Sequence, residues 1–267
     1  MIIQDLGQLE GPIVLFGGCY SNLQATQAIL RLADDLGAQT LIHTGDAIAY
    51  CADPTPVVQC LIDAKVSAIK GNCEIQLSEN APDCGCGFQD GTACDILSVQ
   101  WYAFAQTQVT PHHRQVMADW PDWIVFTHSG KRCCVIHGGA RDVATFIFST
   151  AQDSVLQAEI DHITHHIGAC DAIVCGHSGI AFTRSIGGVD WINAGVIGMP
   201  PHDGDPRTQY CVLDNGYLEV RRLSYDHFGA ADAMTDAGLP TGYRDALLTG
   251  YWPSEDVLPH QLRRDNG

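Results

Sequence analysis

The sequence predicts an α/β protein of 267 residues. Three observations support this class: short apolar runs that end in glycine-containing turns, helical periodicity directly after those turns, and repetition of this order along the chain. Alternating strands and helices are typical of βαβ units with largely parallel strands and right-handed crossovers. Ligands of such sheets bind beyond the carboxyl ends of the strands, so the turns after the strands are the candidate site.

The first unit shows how each element is predicted. The apolar run at 13–16 is too short for a helix, and Asn22 after it caps a helix that ends before Gly37. Similar patterns predict the remaining elements, which are helices at about 54–64, 94–108, 111–119 and 151–167, and strands at 40–43, 66–69, 122–127, 132–137, 171–175, 180–185 and 208–213. We expect a single domain over 1–267, with a core of about 12–225 and a tail of about 226–267 docked on it as a short helix.

Composition narrows the classes of partner. The chain is 46% hydrophobic, yet no apolar run approaches the roughly 18 to 20 residues that span a bilayer. The segment 1–5 does not start a signal peptide, so we expect a soluble cytoplasmic protein with no membrane partner. A net charge of −17 with three lysines argues against nucleic acid as a main partner. Most of the 12 cysteines are expected to be reduced, because several lie in apolar runs.

Five short motifs follow the predicted strands. Hydrolysis of phosphate esters by metal ions needs carboxylate, amide and imidazole ligands on turns, where they converge on cations about 3.5 to 4 Å apart. In chain order the motifs are Gly18-Cys19-Tyr20-Ser21-Asn22, Gly45-Asp46, Gly71-Asn72-Cys73-Glu74, His137-Gly138 and Gly176-His177-Ser178-Gly179, and they are followed by the turn Asn193-Ala194-Gly195-Val196-Ile197-Gly198-Met199-Pro200.

The order of these motifs resembles the calcineurin-like metallophosphoesterases, in particular their compact bacterial phosphodiesterase and diadenosine-tetraphosphatase-like branch. The pattern of that family is D-x-H-G-N, G-D, G-N-H-[DE] or G-N-C-D, H-G and G-H-T-H, with a final N-P-G-S-[VI]-G-x-P turn. The resemblance covers roughly 12–225. It implies an αββα sandwich of two mixed β-sheets flanked by helices, and a hydrolase that uses metal ions.

The resemblance implies one complete set of metal ligands and one incomplete set. The complete set is Asp46, Asn72, His137 and His177. The first set of the family is degenerate, because Gly18 stands at the position of its carboxylate, Tyr20 at that of its histidine, and Gly179 at that of its last histidine. We therefore expect one divalent ion per chain, of manganese, iron or zinc, and we regard a second ion as doubtful. Tyr20 is a candidate extra ligand as a phenolate, and a packed tyrosine is the alternative.

Cys73, Glu74 and a group of three further cysteines follow Asn72, a member of the complete ligand set, in the sequence. Cys73 stands where many family members have the histidine that protonates the leaving group, so it is the candidate catalytic residue; a packing role is the alternative. Glu74 occupies the acidic position of the motif and is also suited to cap a helix. Cys84, Cys86 and Cys94 match no common zinc spacing, and an ordinary cysteine-rich loop is the alternative to a soft-metal cluster.

Three arginines are candidate substrate-binding residues. Arg141 and Arg184 follow the His137 and His177 turns, and Arg207 ends a segment, 198–207, that resembles a G-x-P-R-D-G-D-P-R signature of the family. A guanidinium group can clamp a phosphate with two hydrogen bonds. Buried ion pairing with Asp142, Asp203 or Asp205 is the alternative role.

Three functions remain open from the sequence. The first is hydrolysis of a small phosphoester or nucleotide with one metal ion, and a small phosphorylated ligand is then the partner. The second is a pseudoenzyme that keeps the fold and one ion for ligand binding or regulation. The third is altered metal or redox chemistry at the remodelled site, with Tyr20 or Cys73.

Overall fold

Two mixed β-sheets form the centre of the molecule, and helices cover their outer faces. The computed structural model of the protein describes residues 1–87 and 91–264, without the side chains of 94 and 95. The strands are β1 (Ile3–Leu9), β2 (Ile13–Phe16), β3 (Thr40–His43), β4 (Ser67–Ala68), β5 (Trp123–His128), β6 (Lys131–Val135), β7 (Ala172–Cys175), β8 (Phe182–Ile186), β9 (Val189–Asn193), β10 (Thr208–Asp214) and β11 (Tyr217–Leu223).

The helices connect the strands and fold the tail onto the sandwich. They are α1 (Leu23–Asp35), α2 (Pro54–Asp63), α3 (Asn72–Glu79), α4 (Ala93–Gln108), α5 (Pro111–Asp119), α6 (Asp153–Ile167), α7 (His227–Asp236), α8 (Thr241–Thr249) and a short 3-10 helix (His260–Leu262). Asn22 caps α1 with its side chain, which accepts a hydrogen bond from the N–H of Ala25 at 3.0 Å.

Each sheet contains both parallel and antiparallel pairs. The six-stranded sheet has the order β1-β5-β6-β7-β9-β8, in which β6, β7 and β9 are parallel. The five-stranded sheet has the order β11-β10-β2-β3-β4, in which β2, β3 and β4 are parallel. The carboxyl ends of β3, β4, β6 and β7 meet at one edge of the sandwich, and the site is built there.

Apolar side chains fill the space between the sheets and under the helices. In β2, Ile13 and Leu15 face the other sheet, while Val14 and Phe16 face the helices. Both faces of this strand are buried, which is why its sequence is a continuous apolar run rather than an alternating one. A third cluster packs α6 against the six-stranded sheet and includes Trp191, which is fully buried.

The predicted fold class is confirmed, because two mixed sheets lie between helical layers. Three strands were absent from the sequence prediction, namely β1, β9 and β11. The tail carries two helices and a 3-10 turn rather than one short helix. Over residues 1–87 and 91–264, the helices are too short or too polar to cross a lipid bilayer.

Candidate metal centre

Four turns deliver the four side chains of the complete ligand set. Asp46 follows β3, Asn72 begins α3 just after β4, His137 follows β6, and His177 follows β7. All four residues are buried, with exposures between 1% and 6%. Because two of the strands belong to each sheet, the site lies where the ends of the two sheets meet.

The donor atoms of these side chains converge on one point. The Nε2 atom of His137 lies 3.2 Å from Oδ2 of Asp46, 3.2 Å from Oδ1 of Asn72 and 2.9 Å from Nδ1 of His177. Nδ1 of His177 lies 3.7 Å from Oδ2 of Asp46. Ligands that each lie about 2.0 to 2.2 Å from one cation have separations of this size.

Close backbone approach makes this convergence feasible. Asp46 has a left-handed backbone, with φ of 60°, a conformation that aspartate tolerates better than most residues. A Cβ atom at Gly71 would lie 2.2 Å from Oδ1 of Asp46, and one at Gly45 would lie 2.6 Å from Nδ1 of His137. Glycine is therefore required at both positions, which explains why the motifs contain it.

The tautomer of His137 is set by its surroundings. Its Nδ1 lies 2.7 Å from the carbonyl oxygen of Thr44 and can only donate there, so Nε2 presents either a second proton or a lone pair to the cluster. Oxygens of Asp46 and Asn72 face the same point. A cation or a proton must separate these electron-rich atoms, and the donor set of one carboxylate, one amide and two imidazoles fits a divalent metal ion.

The pKa shifts follow from burial and from the charge of Asp46. Burial acts to lower the pKa of His137, but the Asp46 carboxylate outweighs it and raises the pKa above 6.5. Burial lowers the pKa of His177 against the opposing effect of Asp46. The two histidines hold the pKa of Asp46 below its ordinary value despite burial. A metal ion at this point therefore competes with the proton on His137.

Glu74 supports the Asp46 turn from below. Its carboxylate accepts hydrogen bonds from the N–H groups of Asp46 and Gly71, each at 2.8 Å, and from that of Ile48 at 3.4 Å. Burial and the charge of Asp46 raise the pKa of Glu74 to about 7, although these N–H donors oppose the shift. The residue caps α3, as the sequence suggested, and it also holds the backbone of Asp46, a candidate ligand residue, which the sequence did not indicate.

A cysteine-rich loop fixes the orientation of Asn72. The Nδ2 group of Asn72 donates to the carbonyl oxygen of Cys84 at 2.9 Å and lies 3.4 Å from Sγ of Cys86. Cys84 and Cys86 are joined by a disulfide bond, whereas Cys94 has a side chain outside the described part of the structure. Because Nδ2 is held by the loop, Oδ1 of Asn72 points toward the other ligands.

Cys73 lies beside the cluster in a buried position. Its N–H donates to Oδ1 of Asp46 at 3.2 Å, and its Sγ lies 3.5 Å from Nδ2 of Asn72. Burial, followed by the charge of Asp46, raises the pKa of Cys73 well above 9, which favours the neutral thiol. A protonated thiol at this place is compatible with the predicted role of Cys73 as an acid, which stays a prediction.

Aromatic rings pack against the positions of the incomplete first ligand set. The ring of Tyr20 covers Gly18, and Tyr20 makes an edge contact with Tyr50 at 4.8 Å between ring centroids. Burial, followed by the charge of Asp46, raises the pKa of Tyr20 well above 10 and so disfavours the phenolate that a metal ligand requires. At Gly179, a Cβ atom would lie 3.4 Å from the ring of Trp252.

The three candidate arginines are held by carboxylates and carbonyl groups. Arg141 pairs with Glu159 at 2.9 Å, and Arg207 pairs with Asp205 at 2.6 Å. Arg184 donates to backbone carbonyl groups and pairs with Asp153. The Arg207–Asp205 pair is one of the ion pairs expected as the alternative to phosphate binding. Arg141 and Arg184 instead pair with Glu159 and Asp153, which were not among the partners expected from the sequence. A role in substrate binding stays a prediction for each arginine.

Comparison with known proteins agrees with this geometry. A family model described as the calcineurin-like phosphoesterase superfamily domain matches residues 13–216. An uncharacterized protein of Methanocaldococcus jannaschii is 23% identical over 262 residues, covering 91% of this chain and 99% of the relative.

Two solved structures share the fold. A metallophosphoesterase from Sphaerobacter thermophilus superposes with a TM-score of 0.71 at 18% identity, over 91% of this chain and 100% of that chain. A hypothetical protein of Pyrococcus horikoshii superposes with a TM-score of 0.76 at 14% identity, over 90% of this chain and 99% of that chain. With the family model covering most of the sequence, the chain belongs to the calcineurin-like phosphoesterase superfamily.

Proposed function

We propose that the protein is a hydrolase of a small phosphoester or nucleotide, and that it works with one divalent metal ion of manganese, iron or zinc. Membership of the superfamily supports metal-dependent hydrolysis of phosphoesters. The observation that carries the proposal is the convergence of Asp46, Asn72, His137 and His177, whose donor atoms face one point at 2.9 to 3.7 Å from one another.

The residues around this point have distinct roles in the proposed reaction. An ion held by the four side chains would polarise a phosphoryl oxygen and lower the pKa of a bound water, which supplies the nucleophile. Thr44 holds the ring of His137, Glu74 holds the turn of Asp46, and the cysteine-rich loop holds Asn72. In this proposal Cys73 would protonate the leaving oxygen.

A binding protein without turnover is the second candidate, and a specific observation favours it. Gly18, Tyr20 and Gly179 provide neither the carboxylate nor the two histidines of the first ligand set. A two-ion clamp stabilises both the attacking and the leaving oxygen of an in-line displacement, so a single ion gives less rate enhancement. Metal content and turnover must therefore be measured together.

Asp46→Asn tests both candidates while preserving the shape of the side chain. Protein reconstituted with manganese, iron(II) or zinc should contain one ion per chain by elemental analysis and should hydrolyse p-nitrophenyl phosphate, its diester or a nucleotide. Asp46→Asn should lose both properties, while Asp35→Asn, at an exposed carboxylate in α1, should keep them. Two ions per chain, or none, would refute the single-ion proposal. One ion without turnover of any of these esters would favour the binding protein.

A further inference from the structure

An aromatic pocket lies beside His177, which is one of the four residues of the ligand cluster. Its walls include Tyr20, Tyr50, Phe146, Tyr243 and Trp252. The ring of Phe146 lies 4.4 Å from that of His177, centroid to centroid, so the pocket adjoins a metal-ligand residue directly. The cavity volume is about 50 Å³.

The pocket occupies the place of the missing half of the metal site. Tyr20 and Gly179 stand at two ligand positions of the degenerate set, and both line the pocket. The third position, Gly18, lies beneath the Tyr20 ring. The space that a second ion and its ligands would need is therefore bounded by apolar and aromatic groups.

The walls are held in fixed positions. Tyr50 stacks on Tyr243 with centroids 4.2 Å apart and an interplanar angle of 23°. The backbone N–H of Trp252 donates to Nδ1 of His202 at 2.8 Å, and its indole N–H donates to the carbonyl oxygen of Pro200 at 2.6 Å. A pocket whose rings are already ordered loses little conformational entropy when a ligand enters.

The residues that line the pocket disfavour a charged ligand. The described lining residues include no lysine, arginine, aspartate or glutamate, so the pocket has no counter-ion for a phosphate group. The volume of about 50 Å³ exceeds the roughly 10 to 15 Å³ that one water needs and is about a third of the roughly 150 Å³ of a closed cavity that binds benzene, so the pocket can take part of a single ring and excludes a fused ring system. Aromatic walls favour a flat ligand through stacked and edge contacts.

We propose that this pocket binds a single uncharged aromatic ring of a phosphoester and thereby sets the substrate class as aryl phosphoesters. The inference rests on the proposed function, because the phosphoryl group attached to that ring would lie at the ion beside His177. The chain has thus replaced the ligands of one ion with a recognition site for the organic part of the substrate.

Two phosphonates that resist hydrolysis test the inference. Metal-loaded protein should bind phenylphosphonate about tenfold more tightly than methylphosphonate in calorimetry, because only the former has a ring to bury. Trp252→Ala should reduce this preference to less than about twofold without changing metal content. Phe228→Ala, which removes an aromatic ring that is 66% exposed on α7, is the matched control and should keep the preference.

A second variant guards against misfolding of Trp252→Ala. Ser254→Trp adds a ring at the mouth of the pocket, where Ser254 is only partly buried, and should remove the preference by blocking entry. Equal binding of the two phosphonates by the parent protein, with turnover intact, overturns the pocket inference and leaves the proposed function standing. Binding of neither phosphonate, together with no turnover, overturns both.

Discussion

The ring of Tyr20 lies directly on the backbone of Gly18: a Cβ atom built at Gly18 would be 2.2 Å from Cε1 of that ring. The two residues stand at the carboxylate and histidine positions of the degenerate ligand set. The loss of one side chain and the change in the other are therefore physically linked. Any side chain at Gly18 requires the Tyr20 ring to move.

This contact predicts a strong coupling between the two positions. Gly18→Ala should destabilise the protein by about 1 to 3 kcal/mol, because the new Cβ atom overpacks a filled space. In the background of Tyr20→Ala the same change should cost at least about 1 kcal/mol less, because the crowding ring atoms are gone. Denaturant unfolding of the four proteins of the cycle measures the coupling. Additive effects would show that the ring moves freely.

A second ion should require removal of the aromatic wall as well as new ligands. The triple variant Gly18→Asp, Tyr20→His and Gly179→His supplies the ligands. However, the backbone at position 179 has a φ of +75°, which strains any side chain, and a Cβ atom there already contacts the Trp252 ring at 3.4 Å. We expect one ion per chain in the triple variant and two when Trp252→Ala is added, by elemental analysis after manganese reconstitution. Two ions in the triple variant alone would contradict this.

The cysteine-rich loop should control metal affinity through Asn72. Replacing Cys84 and Cys86 together by serine removes the disulfide next to the Asn72 amide. Loss of a group that orients a ligand typically weakens metal binding by about 10- to 100-fold, and we expect at least the lower value. Competition with a chromogenic chelator measures the affinity. Cys60→Ser, at a free and partly buried cysteine on α2, is the control; equal affinity in all three proteins would exclude a role for the loop.

Glu255 should make the attachment of the tail sensitive to acid. Hydrogen bonds from Arg264 and His202 lower the pKa of Glu255 to about 2 from its ordinary value of 4.5. A lowered pKa in the folded state stabilises the protein above pH 4.5, and this contribution is lost as the pH falls toward 2. Protection of the Trp252 N–H from hydrogen exchange, corrected for the intrinsic rate, should fall over this interval.

Glu255→Gln provides the comparison for that experiment. The variant should show weaker protection of Trp252 already at pH 5 and a smaller further loss between pH 4.5 and 2. Glu219→Gln, at an exposed glutamate on β11, should behave like the parent protein. If Glu255→Gln and the parent lost protection in parallel, the acid sensitivity would originate elsewhere.

The sequence predicted the strands that carry ligands because each is a buried apolar run followed by a motif. It did not predict β1, whose seven residues include only two that are partly buried, so its pattern resembles that of a polar loop. β9 was not predicted, because the predicted strand ended at 185 and the two glycines that turn the chain back into β9, Gly187 and Gly188, are typical of a loop.

The convergence of the four candidate ligand residues was predictable from the sequence, while their surroundings were not. Asp46, Asn72, His137 and His177 lie in turns whose local sequence identifies them. Trp252 approaches the site through hydrogen bonds to residues about 50 positions earlier, and no local pattern encodes such a contact. No local pattern encodes the role of Glu74 either, because its carboxylate accepts a hydrogen bond from the N–H of Asp46, which lies 28 positions earlier.

The aromatic wall is built partly from chain that lies outside the shared domain. The family match ends at residue 216, whereas Tyr243 and Trp252 come from the tail, and all four residues of the predicted ligand set precede residue 178. Under the proposed function, substitution within the tail would change which alcohol is accepted without disturbing the residues that would hold the ion. Selectivity and reactivity would then depend on separable stretches of the chain, and exchange of tails between relatives would be a direct route to new specificity.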